Sequence, residues 1–343
     1  MDRHRFAARW IAPVLLAAMA MLPGCGASGG AQACASGANV GFRVIEYAPG
    51  LRAALWYPST APAARASYPG AVGVAGDVAK DAPLGSCGRA PLVVFSHGDG
   101  GCGTQSIFLT EELARRGYVV AAPDHADALC SVDGGPNRGP SHGGEPPFTE
   151  PDRYTDATYR GRRDDVEALV AFLLGEGSYR GAIDTSRIAI AGHSLGGYTG
   201  AGLGGGWESW RDGRFRAALL LSPYVQPYLV QERLQAISIP LMYQGGTLDL
   251  GITPFLVGAN GAYAKASPPK VLVSFAGAGH FDWTNTTCAR FPYVRDCLAS
   301  VPNAARIVDY GAAFLDRYLR GVDAPLLESG GDGLAVFESD LGG

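Results

Sequence analysis

Six short stretches of this chain are apolar at odd and even positions alike: PLVVFS (91–96), YVVAAP (118–123), RIAIAG (187–192), FRAALLL (215–221), IPLMYQ (239–244) and PKVLVSF (269–275). A strand with one wet face alternates, so runs that do not alternate belong to a sheet covered on both faces. Between them lie longer segments with helical spacing: TQSIFLTEELARRG (104–117), RGRRDDVEALVAFLLGE (160–176) with Val166, Leu169, Val170 and Leu173 on one face, and AARIVDYGAAFLDRYLRG (304–321). Strands that take turns with helices predict βαβ units, hence a single α/β domain on a mainly parallel central sheet flanked by helices. We expect that domain over residues 39–325, after a signal segment (1–24) and a flexible linker (25–38), and before a frayed Gly-rich tail (326–343). RAALWYP (52–58) reads as an early strand and STAPAARASYPG (59–70) as loop. Residues 131–158, dense in Gly and Pro, form the longest irregular stretch, the place for an active-site rim or a lid.

The 343 residues are 47% hydrophobic, ample for a large core. A formal net charge of −4 with scattered Lys and Arg leaves no footprint for nucleic acid, so a small or neutral substrate is expected. The N-terminal MDRHRFAARW is basic and is followed by IAPVLLAAMAML, an apolar run too short to span a bilayer. That combination reads as an export signal. LPGC, ending at Cys25, resembles a bacterial lipoprotein processing box, which would lipidate Cys25 and attach the protein to a membrane of the cell envelope. Cleavage after Ala31-Gln32-Ala33 would instead release a secreted protein. Setting Cys25 aside leaves six cysteines, an even number suited to disulfides in an oxidising compartment. Spacing pairs Cys288 with Cys297, and chain order suggests Cys102 with Cys130 and Cys34 with Cys87. No C-x-x-C pair suggests zinc, and no metal or cofactor is expected.

Gly192-His193-Ser194-Leu195-Gly196 fits G-x-S-x-G, with a buried run before it and small, helix-compatible residues after it. Such an elbow holds a serine in a strained turn and lifts its hydroxyl clear of the sheet, so Ser194 is the expected nucleophile. The N–H of Leu195 would face an oxyanion forming beside it. A serine hydroxyl needs a base, and the base an orienting acid, in the chain order Ser, acid, His. Asp249 follows one buried run and His280 the next, just beyond strand ends where open α/β sheets carry reactive groups. Asp282, two residues past His280, suits capping better than catalysis. His280 is the one histidine after the acid. In FSHGDGGCG the N–H of Asp99 is the expected second oxyanion donor, with Gly100 as the alternative. An acidic side chain there works against an anion unless its carboxylate is paired or turned outward.

These pieces together resemble an α/β-hydrolase, and within that fold the bacterial dienelactone-hydrolase-like and platelet-activating-factor-acetylhydrolase-like esterases. VGFRVIEY, LWYP, PLVVFSHGDGG, YVVAAPDH, RRDDVEALVAFL, DTSRIAIAGHSLGGYT, GGTLDLGITP and GAGHFDW occur in the family's order between residues 39 and 320. The resemblance implies the α/β-hydrolase fold, Ser194, Asp249 and His280 as a catalytic triad, and the N–H groups of Leu195 and Asp99 as an oxyanion hole. It implies a serine hydrolase cleaving small or short-acyl esters. A peptidase or acyltransferase with the same triad, or a cell-surface binding protein on the same fold, are the alternatives.

Overall fold

The computed structural model describes Met1 and residues 39–70, 74–135 and 144–342. Cys25, Cys34 and the whole signal segment beyond Met1 lie outside them. Among the described residues eleven strands form one sheet: β1 Asn39–Ala48, β2 Leu51–Ser59, β3 Ala64–Ser67, β4 Ala75–Lys80, β5 Ala90–Ser96, β6 Val119–Pro123, β7 Ile183–His193, β8 Phe215–Leu221, β9 Leu241–Gly246, β10 Lys270–Phe275 and β11 Leu334–Asp340. Their spatial order is β11-β10-β9-β8-β7-β5-β6-β2-β1-β4-β3. The run from β6 to β10 is parallel throughout, and antiparallel strands flank it on both sides.

The non-alternating runs are the central strands, and they split their side chains between two cores. Val93 and Phe95 of β5 face one, with Ala189, Ala191, Leu219 and Leu221. Leu92 and Val94 face the other, with Ile188, Ile190, Ala218 and Leu220. Four helices matter here: α1 Ile107–Arg115, α2 Arg160–Gly175, α3 Leu195–Ala201 and α4 Pro302–Leu315. α1 and α4 cover the first face, α2 and α3 the second. Each buried Val, Leu or Ile contributes about 1.5–3 kcal/mol, so the two layers hold the sheet edges together from both sides.

Two expectations are corrected. The C-terminal residues are not a frayed tail: β11 pairs antiparallel with β10, and Val336 and Phe337 pack against opposite cores. The glycines that suggested fraying build the turn into it, Gly330 with φ 68° and Gly333 with φ 82°. Within the segment read as loop, Ala64–Ser67 forms the short edge strand β3 beside β4. Its residues are largely exposed, so no hydrophobic pattern marks it.

Cys102 bonds to Cys130 and Cys288 to Cys297. Cys87 is also disulfide-bonded, while Cys34 lies outside the described residues. Among the described residues no helix is long and apolar enough to cross a membrane; the disulfides are consistent with an exported protein. Cys102 and Cys130 are 28 residues apart, so replacing both with Ser should cost about 3–4 kcal/mol of stability from loop closure. Urea unfolding of the double variant measures this; an unchanged midpoint would show that the bond adds nothing.

Candidate active site

β7 runs into α3 through Ser194, whose φ of 54° and ψ of −115° cost a residue with a Cβ about 1–3 kcal/mol. The flanking glycines allow close approach. A Cβ on Gly192 would lie 2.2 Å from the Gly196 carbonyl oxygen, and one on Gly196 would lie 1.9 Å from that of Ser96. Strand, helix and the neighbouring β5 can therefore close around the serine only without side chains there. Leu195 opens α3, so its N–H has no partner within the helix.

Asp249 follows β9 and His280 follows β10, and the structure brings both to Ser194. His280 Nε2 is 3.1 Å from Ser194 Oγ, and His280 Nδ1 is 2.9 Å from Asp249 Oδ2. Ser222, just past β8 with φ 42°, joins them. Its hydroxyl donates to Asp249 Oδ2, so its oxygen is left to accept from His280 Nδ1 at 2.9 Å. Nδ1–H is thus held by two acceptors, which leaves the Nε2 lone pair toward Ser194. Burial would raise the Asp249 carboxyl, but hydrogen bonds from His280 and Ser222 outweigh it and hold the group below its ordinary range. Asp282 accepts instead from Gly279 N–H at 2.6 Å and from Thr287, closing its own turn.

The loop after β5 carries Gly98 and Asp99 into the same cleft as Ser194. Arg162 of α2 supports it from below, donating to the carbonyls of His97 at 2.6 Å and Gly98 at 3.1 Å. The same guanidinium is paired with Asp127 through Nε, at 3.1 Å, and through a second nitrogen, both residues being buried. Burial alone would raise Asp127, yet Arg162 holds it well below the carboxylate range. Burial, and next the Asp99 carboxylate, raise the Tyr159 phenol. A second serine–histidine–aspartate array, Ser96–His125–Asp165 at 2.8 and 3.0 Å, lies under this loop. It is buried and outside the cleft lining, so it acts as scaffold.

Sequence reasoning missed Ser222, Arg162 with Asp127, and the bonds of Gln105 and His193. Only Arg162 left a signal, because it shares the apolar stripe of Val166, Leu169 and Leu173, where a lone cation has to find a buried partner.

The cleft has a volume of about 820 Å³. Phe148, Val230, Leu248, Leu250, Phe255 and Phe281 line it and stay 41–78% exposed. Among the described residues its lining contains no Lys or Arg. Phe148, Thr149 and Pro151 make one wall, so the later part of the long irregular stretch does border the site. Among the described residues no group of three His, Cys, Asp or Glu could hold a metal ion.

Residues 44–133, from within β1 to just past β6, match the family described as platelet-activating factor acetylhydrolase, isoform II. Among solved structures, the ferulic acid esterase from Streptomyces cinnamoneus superposes with a TM-score of 0.58 at 23% identity, over 86% of this chain and 93% of that one. At that identity the likeness is one of fold. No curated protein sequence matches significantly. The chain thus has the α/β-hydrolase fold and is similar, over residues 44–133, to the platelet-activating factor acetylhydrolase family.

Proposed function

We propose that this protein is a serine carboxylic-ester hydrolase that cleaves uncharged small-molecule esters through an acyl-enzyme. The observation that carries the reading is the continuous hydrogen-bonded line from Ser194 through His280 to Asp249, opening on an apolar cleft. Ser194 Oγ attacks the ester carbonyl carbon while its proton passes to His280 Nε2. The carbonyl oxygen becomes an anion that takes hydrogen bonds from the N–H groups of Leu195 and Asp99. Collapse expels the alcohol, which takes the proton back from Nε2. Water then attacks the acyl carbon and gives a proton to Nε2. The second collapse returns that proton to Ser194 and frees the acid. Asp249 and Ser222 keep Nδ1–H fixed and stabilise the imidazolium in both halves.

Substrate class follows from the walls. The described residues offer apolar surface and the Asp99 carboxylate but no cation, so a negative substrate loses its hydration without gaining a partner among them. Neutral p-nitrophenyl esters from acetyl to octanoyl should turn over, with kcat/KM more than about 10-fold above that for a p-nitrophenyl hemisuccinate, as expected for an unpaired charge entering an apolar site. Methyl ferulate belongs in the same series, since the fold neighbour is named for ferulic acid. No turnover of any ester, with no labelling by a fluorophosphonate, would leave the non-catalytic binding protein as the better reading. Faster cleavage of amides than of esters would favour the peptidase. We place the mature chain on the cell envelope, held through a lipidated Cys25. The mass of the native N-terminus tests this, and an unmodified chain starting at Cys34 would mean free secretion.

A further inference from the structure

Three loops meet behind Ser194, and a single chain of hydrogen bonds crosses all of them. Gly98 N–H donates to Gln105 Oε1 at 2.9 Å. That bond fixes the amide's orientation, so Gln105 Nε2 is the donor in its 3.0 Å contact with His193 Nδ1. An accepting Nδ1 puts the proton of His193 on Nε2, which donates to the His280 carbonyl at 2.9 Å. Every polarity is determined and every partner is protein. The His193 ring is 2% exposed; burial, and then the charge of His280, push it down to about 3, so it stays neutral as the chain of bonds requires. The backbone makes room for the same chain: a Cβ on Gly98 would come within 2.9 Å of His193 Nδ1, and one on Gly101 within 2.1 Å of Gln105 Oε1. Neighbouring bonds tie the same loops, with Asn285 N–H donating to the Gln105 carbonyl at 2.7 Å and Ser106 Oγ donating to that of Trp283 at 2.6 Å.

We propose that Gln105 and His193 are positioning residues, a strut that sets the oxyanion loop at Gly98 and Asp99 in register with the backbone of His280. The reaction needs both ends at once. Negative charge develops on the carbonyl oxygen beside the Asp99 N–H while positive charge develops on His280, and the ester must meet the two in one geometry. A displacement of about 1 Å between such groups costs on the order of 10²-fold in rate. The strut joins the two loops by side chains that do not take part in bond making, so its removal shows in turnover rather than in substrate affinity.

The inference rests on the serine-esterase reading, and the test separates the two. Wild type, Gln105→Met, His193→Phe and the double variant are titrated with a fluorophosphonate to count competent sites, then assayed on p-nitrophenyl butyrate well below each variant's melting temperature. Each single variant should lose about 10–100-fold in kcat with KM within about twofold. The double variant should be no more than about twofold worse than the worse single one, since cutting one strut twice breaks it once. Loss confined to KM, wild-type kcat in Gln105→Met, or effects that multiply in the double variant would each overturn the strut while leaving the esterase intact. A wild type that is neither labelled nor active overturns both. Should His193→Phe not fold, the split between kcat and KM in Gln105→Met and Gln105→Ala decides alone.

Discussion

Replacing Ser194 by Ala is expected to lower kcat at least about 10³-fold, by analogy with triad knockouts on other scaffolds. On the proposed mechanism the attacking atom is gone, and what persists is binding in the apolar cleft plus the N–H donors proposed at Leu195 and Asp99, which still polarise a carbonyl for attack by water. Fluorophosphonate labelling should vanish with the activity. Stability should hardly move, because Ala keeps the Cβ that makes φ of 54° costly at this position. Ser194→Gly is the informative companion: it is equally inactive but relieves the backbone, and should gain about 1 kcal/mol in urea unfolding. Residual turnover near the wild-type rate in both variants would remove Ser194 from the chemistry.

Arg162→Met should be the most damaging single change outside the triad. It strips Asp127 of its partner, leaves the His97 carbonyl without its side-chain donor and takes one of several donors from the Gly98 carbonyl, all in buried surroundings. Breaking a buried ion pair on one side costs about 3–5 kcal/mol. The effect depends on pH with a definite sign. In the wild type Asp127 is held below its unfolded value, so its contribution is present above about pH 4 and fades as pH falls through the depressed folded value. In the variant the unpaired, buried carboxyl shifts upward and protonates readily on acidification. The gap in unfolding free energy between wild type and Arg162→Met should therefore be wider at pH 7 than at pH 4. Adding Asp127→Leu should restore much of the stability without restoring kcat, because the loop carrying Asp99 still lacks its support. A gap that is constant with pH would mean that the pair contributes through packing and not through charge.

How much of this was legible beforehand follows from which interactions are local. The elbow was readable because its constraint lies within five residues: a strained turn, and glycines where carbonyls come within about 2 Å of a would-be Cβ. The strands preceding Asp249 and His280 were readable because covering both faces forces an unbroken apolar run. Ser222 was not, since a serine at a strand end looks the same whether it meets solvent or an Asp 27 residues away. The Gln105–His193 contact spans 88 residues and depends on where two loops settle, so no spacing rule encodes it. β3 and β11 escaped notice because edge strands are held by backbone pairing, and their half-exposed side chains leave no period to detect.

The charge inventory of the cleft bears on the end of the cycle as well as its start. On the esterase reading proposed above, hydrolysis turns a neutral guest into an acid that ionises in water, and the newborn anion meets two carboxylates, Asp99 and Asp249, and no cation among the described residues of the walls. On that reading departure is expected to be favoured when the acyl bond to Ser194 breaks, with the freed acid a poor competitor for the next ester.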